Sequence, residues 1–453
     1  MKAKFRLLAL TAFAAIGLAG CGGATQDDGT IRLKIWAGSS QDSVTYIHSV
    51  IEKYKAANPD KKYEFTVDNV SEKGVNGDWD KDPSQAADVA IAADDQLPQM
   101  VTSQRVLHLE AANTAIPGIK DRIAESTLED AMEVVTREEP ISHEELTWGI
   151  PVSASNGFVL YYNAKYLHPE DVTTFDNLLA AIHRESEAAG RNLTFGFPYN
   201  SGWYLDGWFH GAGFRVNGEP GQLSVDCDWN TTKNGIQGKD VAGALIKLAH
   251  GQHKEHWTAD SDERIIPSRI QNGAMNEVVA TISGTWVYND VVATWGENTR
   301  ATVLPTYHLD LANTDKPMHA IKGFKVAIIN RNRDNMVEAT KFAEFMVNKE
   351  NQIARYNALN EAPANLEARA ETINENSNPV VKAIQQMWDT SFVEKVNPSY
   401  WNESNALCNQ LCVADEETAK YVASGEGTEN IVLNYDAIQA RLDSAVNVLS
   451  GNK

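Results

Sequence analysis

The chain has 453 residues, 43% of them hydrophobic, and its 61 acidic against 40 basic side chains give a formal net charge of −21. This acidity argues against nucleic acid or an anionic membrane surface as a partner, since both attract clustered Lys and Arg. The hydrophobic content excludes a disordered chain, and the length predicts two lobes or domains because one core rarely serves so many residues.

The first twenty residues have the layout of a secretory signal. Three cations, Lys2, Lys4 and Arg6, precede an uncharged run over residues 7–20. That run is shorter than the ~20 apolar residues that a membrane-spanning helix requires, so we do not expect it to remain as a permanent span. The sequence predicts a signal peptide over residues 1–20.

The run ends in the sequence LAGC at residues 18–21, which resembles the lipobox of bacterial lipoproteins. That resemblance implies a diacylglyceryl group on the sulfur of Cys21 and cleavage just before it. Two or more acyl chains anchor far more firmly than one, at ~0.8 kcal/mol per buried methylene. We therefore expect the protein on the outer side of a membrane, extracellular or periplasmic, with residues 21–30 as lipidated cysteine and flexible tether. A plain secretory signal with an incidental cysteine is the alternative.

Beyond the tether, apolar periodicity predicts strands and helices in alternation. Residues 31–36 alternate as a strand, residues 44–57 have apolar side chains at helical spacing, and residues 63–67 alternate again. This strand, helix, strand unit predicts an α/β lobe with a parallel sheet. The same criteria predict strands at 89–91, 157–162, 301–304 and 325–329, and helices beginning at 175 and spanning 240–249, 337–347, 380–388 and 435–449.

The sequence carries no recognisable catalytic signature. It contains no H-E-x-x-H, no G-x-S-x-G, no phosphate-binding G-x-x-x-x-G-K-[ST] and no C-x-x-C motif. A pair of carboxylates could in principle hydrolyse a glycosidic bond, but nothing singles out one pair among 61 acidic residues. We therefore assign no catalytic residue and no cofactor, and we predict a binding protein rather than an enzyme.

One set of histidines could gather a metal ion. His250, His253 and His256 recur at steps of three, and imidazoles are common zinc ligands. Side chains three residues apart drift around a helix, however, and Gly251 predicts that the helix has just ended. A solvated helix end is therefore favoured, and no metal site is predicted.

Three cysteines remain besides Cys21, namely Cys227, Cys408 and Cys412. Their odd number leaves at least one free thiol unless pairing is intermolecular. Cys408 and Cys412 lie one helical turn apart, so a disulfide between them and two free thiols are both open.

Several short motifs follow one another along the rest of the chain: LKIW at 33–36, YKAANP at 54–59, ADVAIAADD at 87–95, GIP at 149–151, LYYNAKYL at 160–167, TFDNL at 174–178, NGAM at 272–275, ISGTW at 282–286 and VLP at 303–305. Each motif alone is weak. Their order and spacing over residues 31–453 resemble the extracellular sugar-binding proteins of ABC importers, the maltose-binding protein group.

The resemblance implies a periplasmic-binding-protein clamp, an α/β fold of two lobes, each discontinuous in sequence, around a central ligand cleft. With it, we expect residues 31–152 plus 304–358 in the N-terminal lobe and residues 153–303 plus 359–453 in the C-terminal lobe. It further implies a substrate-binding lipoprotein that captures an oligosaccharide and delivers it to the permease subunits of an ABC importer. We expect a monomer with no nucleic-acid partner.

Sugar rings have apolar C–H faces that lie against aromatic rings. The resemblance places Trp286, Trp401 and either Trp203 or Tyr204 in the cleft as stacking residues. It also places Asp95 there, as a carboxylate that accepts hydrogen bonds from sugar hydroxyls. Core packing is the alternative for the aromatic side chains, and a helix cap is the alternative for Asp95.

The other expected ligand contacts are Trp36, Ser39 and Gln41 after the first strand, and Ser155 after a crossing between the lobes. Ala92 stands where the best-known family member has a stacking Trp, and no lysine follows in the segment after Trp36. These departures change many polar contacts, so an oligosaccharide is implied but maltose itself is not.

Two other classes of function stay open on the sequence alone. The same clamp could bind a non-sugar ligand such as a peptide, a polyamine or a metal chelate, and the acidic balance suits a cationic ligand. The chain could instead be a lipid-anchored glycoside hydrolase or a surface adhesin. Reversible sugar binding with closure and without turnover would separate the first hypothesis from both.

Overall fold

The structure of the protein is a computed structural model that describes residues 29–453, except for residue 39 and the segments 82–84, 199–200, 219–223, 261–275, 394–397, 413–417, 425–430 and 452–453. The predicted signal peptide, Cys21 and nearly all of the predicted tether lie outside the described residues. Among the described residues, no helix is long and apolar enough to cross a membrane.

The described part of the chain alternates between strands and helices, as the periodicity predicts. In chain order the strands are β1 Thr30–Trp36, β2 Lys62–Asp68, β3 Val89–Ala93, β4 Thr136–Glu138, β5 Glu145–Thr147, β6 Ile150–Ser153, β7 Phe158–Asn163, β8 Asn192–Pro198, β9 Val216–Gly218, β10 Val225–Cys227, β11 Thr232–Lys233, β12 Ile236–Gln237, β13 Trp257–Asp260, β14 Asn276–Gly284, β15 Thr299–Thr302, β16 Thr306–Leu309, β17 Thr314–Pro317, β18 Ile321–Lys322, β19 Lys325–Ile329, β20 Phe392–Val393, β21 Val422–Ser424 and β22 Val432–Leu433. The α-helices are α1 Gln41–Ala57, α2 Val75–Lys81, α3 Leu97–Thr102, α4 Leu109–Ala112, α5 Ile119–Ser126, α6 Glu129–Val135, α7 Phe175–Ala189, α8 Gly202–Gly211, α9 Gly238–His250, α10 Tyr288–Trp295, α11 Met336–Met346, α12 Lys349–Leu359, α13 Leu366–Thr372, α14 Pro379–Met387, α15 Pro398–Cys412 and α16 Tyr435–Leu449.

The first lobe is built on a five-stranded sheet in the order β2-β1-β3-β19-β6. β1 pairs in parallel with β2 and with β3, as expected for strands joined by crossover helices. β19 is antiparallel to both β3 and β6, so the sheet is mixed and the prediction of a parallel sheet is wrong for this strand. The chain returns from the second lobe at the edge where β3 ends, and β19 must therefore run back across the sheet.

The position of helix α1 at the carboxyl end of β1 is fixed by its N-terminal cap and by its buried face. The side-chain oxygen of Ser40 accepts a hydrogen bond from the backbone N–H of Ser43 at 3.0 Å, which caps the helix at its start. Tyr46, Val50 and Tyr54 recur at helical spacing and are buried against the sheet. The capped start of α1 is thereby held at the carboxyl end of β1.

The second lobe is built on another five-stranded sheet, in the order β13-β8-β14-β7-β15. β8 pairs in parallel with β13 and β14, whereas β7 is antiparallel to β14 and β15. The core around this sheet buries large aromatic side chains such as Phe158, Tyr161, Phe195 and Trp208. Two sheets, each covered by helices, confirm the predicted two-lobed α/β fold.

Buried side chains show that the predicted lobe boundary at residue 304 is wrong. Leu304, Tyr307 and Met318 belong to the core of the second lobe and not to the N-terminal lobe. The strand-then-proline pattern at Leu304-Pro305 thus marks the end of a strand without a change of lobe. The chain crosses back at residues 321–325, where β18 leads into β19.

The predicted boundary at residue 359 is wrong as well. The side-chain amide of Asn365 donates to the carbonyl of Val347 at 3.3 Å, and its backbone N–H donates to Gln352 Oε1 at 3.0 Å, so α13 stays with the first lobe. Buried side chains of α14, from Val380 onward, join the core of the second lobe. We therefore place the third crossing between α13 and α14, whereas the expected first crossing coincides with the end of β6 at Ser153.

The first two crossings touch each other between the lobes. The backbone N–H of Asn156 donates to the carbonyl of Gly323 at 2.9 Å. A Cβ at Gly323 would collide with the carbonyl oxygen of Asn156, and a Cβ at Gly157 would lie 2.7 Å from the carbonyl oxygen of Ile321. Both positions therefore require glycine, because any side chain would push the crossings apart.

We expect Gly323→Ala to lower the free energy of unfolding by about 1–3 kcal/mol, because the added methyl group has no room. Gly77→Ala is the matched control: this residue lies in α2, a Cβ there meets nothing within 4 Å, and we expect a gain of about 0.5–1 kcal/mol. Urea unfolding of both variants measures the difference. A Gly323→Ala variant as stable as the wild type would contradict the close contact.

Candidate ligand-binding cleft

A cleft of about 600 Å³ lies between the two lobes. Its walls come from the segments that follow the carboxyl ends of β1, β3, β8 and β14, and from the start of β19. In open α/β sheets, ligands bind outside the carboxyl ends of the strands, so this is the expected place for a site. The volume falls within the roughly 300–1,000 Å³ that small-molecule sites occupy.

The second lobe contributes three tryptophans to the cleft, Trp203, Trp286 and Trp401, here called the aromatic wall. The ring centroids of Trp203 and Trp286 lie 5.5 Å apart, with their planes at 37°. Trp286 is 40% exposed, whereas tryptophan is usually well buried. Trp401 is half-buried and meets the ring of Tyr400 edge-on at 5.1 Å. Partly exposed indoles of this kind offer flat apolar surfaces on which a ligand can stack.

Glycines hold the aromatic wall in place. A Cβ at Gly284, the last residue of β14, would collide with the ring of Trp286, so only glycine lets the indole fold back over the strand end. A Cβ at Gly202 would collide with Ser404, which shows how closely α8 and α15 approach. The backbone N–H of Gly202 donates to Asn405 Oδ1 at 2.6 Å. That contact fixes the two helices that carry the other two indoles.

The first lobe contributes a compensated charge cluster, Glu72, Lys325, Arg355 and Glu361, here called the charged floor; all but Arg355 line the cleft. Lys325 Nζ donates to Glu72 Oε1 at 2.9 Å and to Glu361 Oε1 at 2.6 Å. Arg355 donates to Glu361 Oε2 through Nε at 2.8 Å and through Nη2 at 2.6 Å. None of the four side chains is more than 13% exposed, so the cations and anions compensate each other away from water.

Burial and ion pairing act in opposite directions on the carboxylates of the charged floor. Burial alone would raise the pKa of Glu361, but Arg355 and Lys325 lower that pKa to about 2. Burial would likewise raise the pKa of Glu72, but Lys325 holds it below its usual value. Both carboxylates therefore stay ionised at neutral pH, and the floor presents fixed charges to a ligand.

Two adjacent carboxylates, Asp94 and Asp95, follow the carboxyl end of β3 and line the cleft. Asp94 is buried, and its Oδ1 accepts a hydrogen bond from the backbone N–H of Phe324 at 3.3 Å. Burial, together with the neighbouring Asp95, raises the pKa of Asp94 to about 7. Asp95 is only half-buried, so it is the member of the pair that can accept hydrogen bonds from a ligand.

A polar contact bridges the two lobes across the cleft. The side-chain amide of Asn360 donates to Asn289 Oδ1 at 3.3 Å. Asn360 follows α12 with a left-handed backbone, φ 57°, a conformation that asparagine adopts more readily than most residues. Both side chains line the cleft, so a ligand bound there can reach polar groups of both lobes.

The structure places four of the nine predicted ligand contacts in the cleft. These are Asp95, Trp203, Trp286 and Trp401. Of the adjacent pair Trp203 and Tyr204, only the tryptophan faces the cleft. Tyr204 is fully buried, with its ring centroid 4.9 Å from that of Phe158, so the prediction for Tyr204 is wrong and core packing applies there.

The predictions for Trp36 and Ser155 are also wrong. Trp36 is buried in the core of the first lobe, where its ring meets Trp79 edge-on at 5.9 Å. Ser155 is buried in the crossing between the lobes, and its hydroxyl accepts a hydrogen bond from the backbone N–H of Ala362 at 2.8 Å. These side chains stabilise the structure around the cleft and do not reach it.

The segment at the start of α1 does reach the cleft, but through other residues than expected. Gln41 is exposed and lies outside the cleft lining, and its role as a ligand contact stays a prediction. Its neighbours Ser40 and Asp42 line the cleft instead, since side chains one residue apart on a helix point in different directions. Ser39 lies outside the described residues.

Sequence reasoning missed most of the first lobe's contribution to the cleft, including Glu72, Lys73 and Lys325. Lys325 opens the otherwise apolar strand β19, and a cation in such a strand needs a buried partner. A lysine in an apolar strand could therefore have identified Lys325 from the sequence as a residue with a buried ionic partner. Glu72 and Lys73 lie in a short turn of 3-10 helix, and no pattern in the sequence distinguishes them.

Cys408, Cys412 and Cys227 are unbridged and buried in the described structure. Of the two possibilities open for Cys408 and Cys412, the structure therefore has free thiols. Burial is the main cause that raises the pKa of Cys412 well above its usual range, and the neighbouring Cys408 raises this pKa further. Neutral thiols of this kind act as small packing groups in a core.

The raised pKa of Asp94 predicts a pH dependence of stability. Between about pH 4 and about pH 7 the folded protein keeps a proton that the unfolded chain releases, so raising the pH through this window lowers the free energy of unfolding. Asp94→Asn should not show this loss. From pH 4 to pH 8 the free energy of unfolding of the wild type should therefore fall by about 1 kcal/mol or more relative to that of the variant. Urea unfolding at several pH values measures it, with the exposed cleft residue Asp42→Asn as control. Parallel pH profiles of the wild type and Asp94→Asn would contradict the assignment.

Known proteins similar in sequence support the family assignment. A family model of bacterial extracellular solute-binding proteins matches residues 49–383. The maltodextrin-binding protein MdxE of Bacillus subtilis is 25% identical over 402 residues, which cover 86% of this chain and 87% of that protein. A maltooligosaccharide ABC transporter solute-binding lipoprotein of Streptococcus pneumoniae is 24% identical over 297 residues. That match covers 61% of this chain and 63% of the pneumococcal protein, less than two thirds of its length.

Solved structures with the same fold come from the same group. The maltodextrin-binding protein MalE1 of L. casei BL23, without ligand, has a TM-score of 0.69 at 21% identity and covers 93% of this chain and 99% of its own. The maltotriose-binding protein of Thermus thermophilus has a TM-score of 0.66 at 13% identity, and the match covers 92% of this chain and 99% of that chain. These matches confirm the resemblance to the maltose-binding group, whose members are binding proteins and not enzymes. Because the family model matches most of its length, the chain belongs to the bacterial extracellular solute-binding proteins.

Proposed function

We propose that the protein is the substrate-binding lipoprotein of an ABC importer, which captures an oligosaccharide between its lobes and delivers it to the permease subunits. The observation that carries this proposal is the position of the aromatic wall in one lobe and of the charged floor with Asp95 in the other, along one cleft. A sugar needs both surfaces, because its ring has apolar C–H faces and a rim of hydroxyls that must find partners.

Maltooligosaccharides are the first candidates for the ligand. The relatives from Bacillus subtilis and Streptococcus pneumoniae are named for maltodextrin and maltooligosaccharide, and similar solved structures contain acarbose and maltotriose. Ala92 stands where the best-known family member has a stacking Trp. It is buried in β3 and cannot stack on a sugar ring. Stacking therefore falls to the aromatic wall of the second lobe, and the proposal is an oligosaccharide of this class rather than maltose itself.

Closure of the cleft is proposed to be a rotation of the lobes about the three crossings. A ligand that contacts both the aromatic wall and Asp95 binds the closed form better than the open form and so shifts the population towards it. The charged floor is already ordered by its own ion pairs, which limits the free-energy cost of arranging it around a ligand. The closed form is the one that the permease recognises.

A lipid anchor on Cys21 is part of the proposal. The cysteine follows a run with the layout of a signal peptide, and the pneumococcal relative is named a lipoprotein. The tether that follows, rich in Gly, Asp and Thr, would let the monomer reach a permease in the same membrane from its outer side.

A polyamine or another cationic ligand is the second candidate, and the charge of the cleft favours it. Acidic side chains in the lining outnumber basic ones by six to two: Asp42, Glu72, Asp94, Asp95, Asp290 and Glu361 against Lys73 and Lys325. The ion pairs of Lys325 and Arg355 compensate Glu72 and Glu361, so the remaining excess is that of Asp42, Asp94, Asp95 and Asp290 over Lys73. Indole faces also attract cations, so the aromatic wall would serve this ligand too.

Thermal unfolding of the chain lacking residues 1–21 tests the proposal against a panel of oligosaccharides and polyamines. A sugar present at 100 times its dissociation constant should add ~2.7 kcal/mol of stability and raise the unfolding midpoint by several degrees. The sugar should also remain intact after overnight incubation. A shift with polyamines and none with any sugar would transfer the assignment to the second candidate.

Two variants locate the sugar within the cleft. Trp286→Ala and Trp401→Ala should each weaken binding by about 1 kcal/mol or more, because a stacking surface is lost. Leu366→Ala is the matched control, since this side chain is 44% exposed but lies in α13, outside the cleft. Isothermal titration calorimetry measures all three affinities. If both tryptophan variants bind as the wild type does, the sugar binds elsewhere.

Cys21→Ser should abolish labelling of the protein with a fatty acid, because the sulfur that carries the acyl chains is replaced by a hydroxyl oxygen. Cell fractionation and labelling with a radioactive fatty acid measure the change. Ala24→Ser, which alters the same segment and keeps the cysteine, should remain labelled and membrane-bound. Fatty-acid labelling of Cys21→Ser at the wild-type level would contradict the anchor.

A further inference from the structure

Three histidines and a glutamate meet at one edge of the second sheet. His183 lies in α7, and His253, Glu255 and His256 lie in the segment that joins α9 to β13. One potential ligand atom from each of the four side chains lies within 4.8 Å of the other three. None of the four lines the cleft, so the cluster is separate from the sugar site.

Four of the distances between these potential ligand atoms range from 3.0 to 3.8 Å. His183 Nδ1 and His256 Nε2 lie 3.0 Å apart. Glu255 Oε1 lies 3.4 Å from His256 Nε2, 3.6 Å from His183 Nδ1 and 3.8 Å from His253 Nδ1. These carboxylate distances are longer than good hydrogen bonds. They are close to the ~3.4 Å that separates ligand atoms around a tetrahedral zinc ion with bonds of ~2.0–2.1 Å.

A backbone carbonyl sets the orientation of His256. Its Nδ1 lies 2.8 Å from the carbonyl oxygen of Leu193, which can only accept, so Nδ1 carries the proton and the lone pair of Nε2 points into the cluster. The hydroxyl of Ser186 accepts the backbone N–H of Leu193 at 2.9 Å and steadies that strand. Metal-binding histidines commonly donate their second nitrogen to such a carbonyl.

The segment from His253 to His256 has a defined backbone conformation and is tied to the second sheet. His253 has a left-handed backbone, φ 64°, which is uncommon for any residue except glycine. The side-chain amide of Asn192 donates to the carbonyl of Glu255 at 3.1 Å, which ties the segment to the start of β8.

We propose that His183, His253, Glu255 and His256 form a zinc site, with one nitrogen from each imidazole and one carboxylate oxygen as ligands. Three imidazoles and a carboxylate suit Zn²⁺, whereas Ca²⁺ and Mg²⁺ prefer sites made of oxygen alone. Four protein ligands leave no open coordination position, so the site is structural and not catalytic.

This site revises the expectation from the sequence that the histidines serve no metal. His250, the third member of the triplet in the sequence, is not part of it, because its Nε2 donates to the carbonyl of Leu411 at 3.2 Å. His183 takes that place from a different helix. Only the packing of α7 beside the segment after α9 brings the ligands together.

The zinc site lies at the opposite end of the second sheet from the cleft. The parallel strands β8 and β13 begin beside it, at Asn192 and Trp257, whereas the cleft lies beyond the carboxyl end of β8. The seven residues of β8 span ~20–25 Å at ~3.3 Å per residue. Zinc therefore joins α7 to the segment before β13 and stabilises the lobe without contacting the sugar.

Titration of the whole metal-free protein with Zn²⁺ tests the proposal by calorimetry and thermal unfolding. We expect one equivalent to bind and the unfolding midpoint to rise by several degrees. His183→Asn removes a partly exposed ligand at little risk to folding and should lower the zinc affinity at least about tenfold. His48→Asn, which removes an exposed histidine of the first lobe, is the matched control and should bind as the wild type does.

Cobalt provides a measurement that needs no variant. Bound Co²⁺ should show the intense visible absorption of tetrahedral coordination, and Zn²⁺ should abolish it by displacement. An octahedral cobalt spectrum, or wild-type zinc affinity in His183→Asn, would overturn the proposal and leave an adventitious ion only. Direct competition between zinc and sugar for binding would place the metal in the cleft and would overturn the proposal as well.

Discussion

The arrangement of the cleft depends on the contact between the backbones of Asn156 and Gly323. Only a residue without a Cβ lets the first two crossings touch, and each crossing leads directly into a wall of the site. One residue past Gly323, the backbone N–H of Phe324 donates to Asp94, and the next residue is Lys325 of the charged floor. On the other side, Thr285, beside the aromatic wall, donates its hydroxyl to the carbonyl of a residue of the first crossing. Both binding surfaces are therefore positioned by the same contact.

The two surfaces are held in place by different physical effects. Close packing holds the aromatic wall, since glycines at Gly202 and Gly284 let helices and strand ends approach within van der Waals contact. Electrostatics holds the charged floor, since two cations and two anions that would each be costly to bury offset one another. A ligand with apolar faces and polar edges meets both surfaces without reorganising either, which leaves more of the interaction energy for binding.

Sequence reasoning predicted what depends on local pattern and on the order of motifs, and it failed where tertiary contact decides. The strands and helices follow from periodicity, whereas Trp286 and Trp401 follow from the resemblance to the maltose-binding protein group. The choice between Trp203 and Tyr204 does not, because successive helical side chains differ by 100° and only the packed structure shows which faces the cleft. The position of the second crossing was not predicted either, because glycine is required at residue 323 by a neighbour that lies far away in sequence.

The sheet of the second lobe has a different group of side chains at each of its two ends. One end carries the aromatic wall, and the other brings His183 beside the segment from His253 to His256. Because closure of a clamp rotates whole lobes about their crossings, the indoles must keep their mutual geometry while the lobe moves. A tie between α7 and the strand edge at the far end stiffens the lobe without adding any group to the cleft. Because the zinc site and the cleft share no residue, the metal adds no group that contacts a ligand in the cleft.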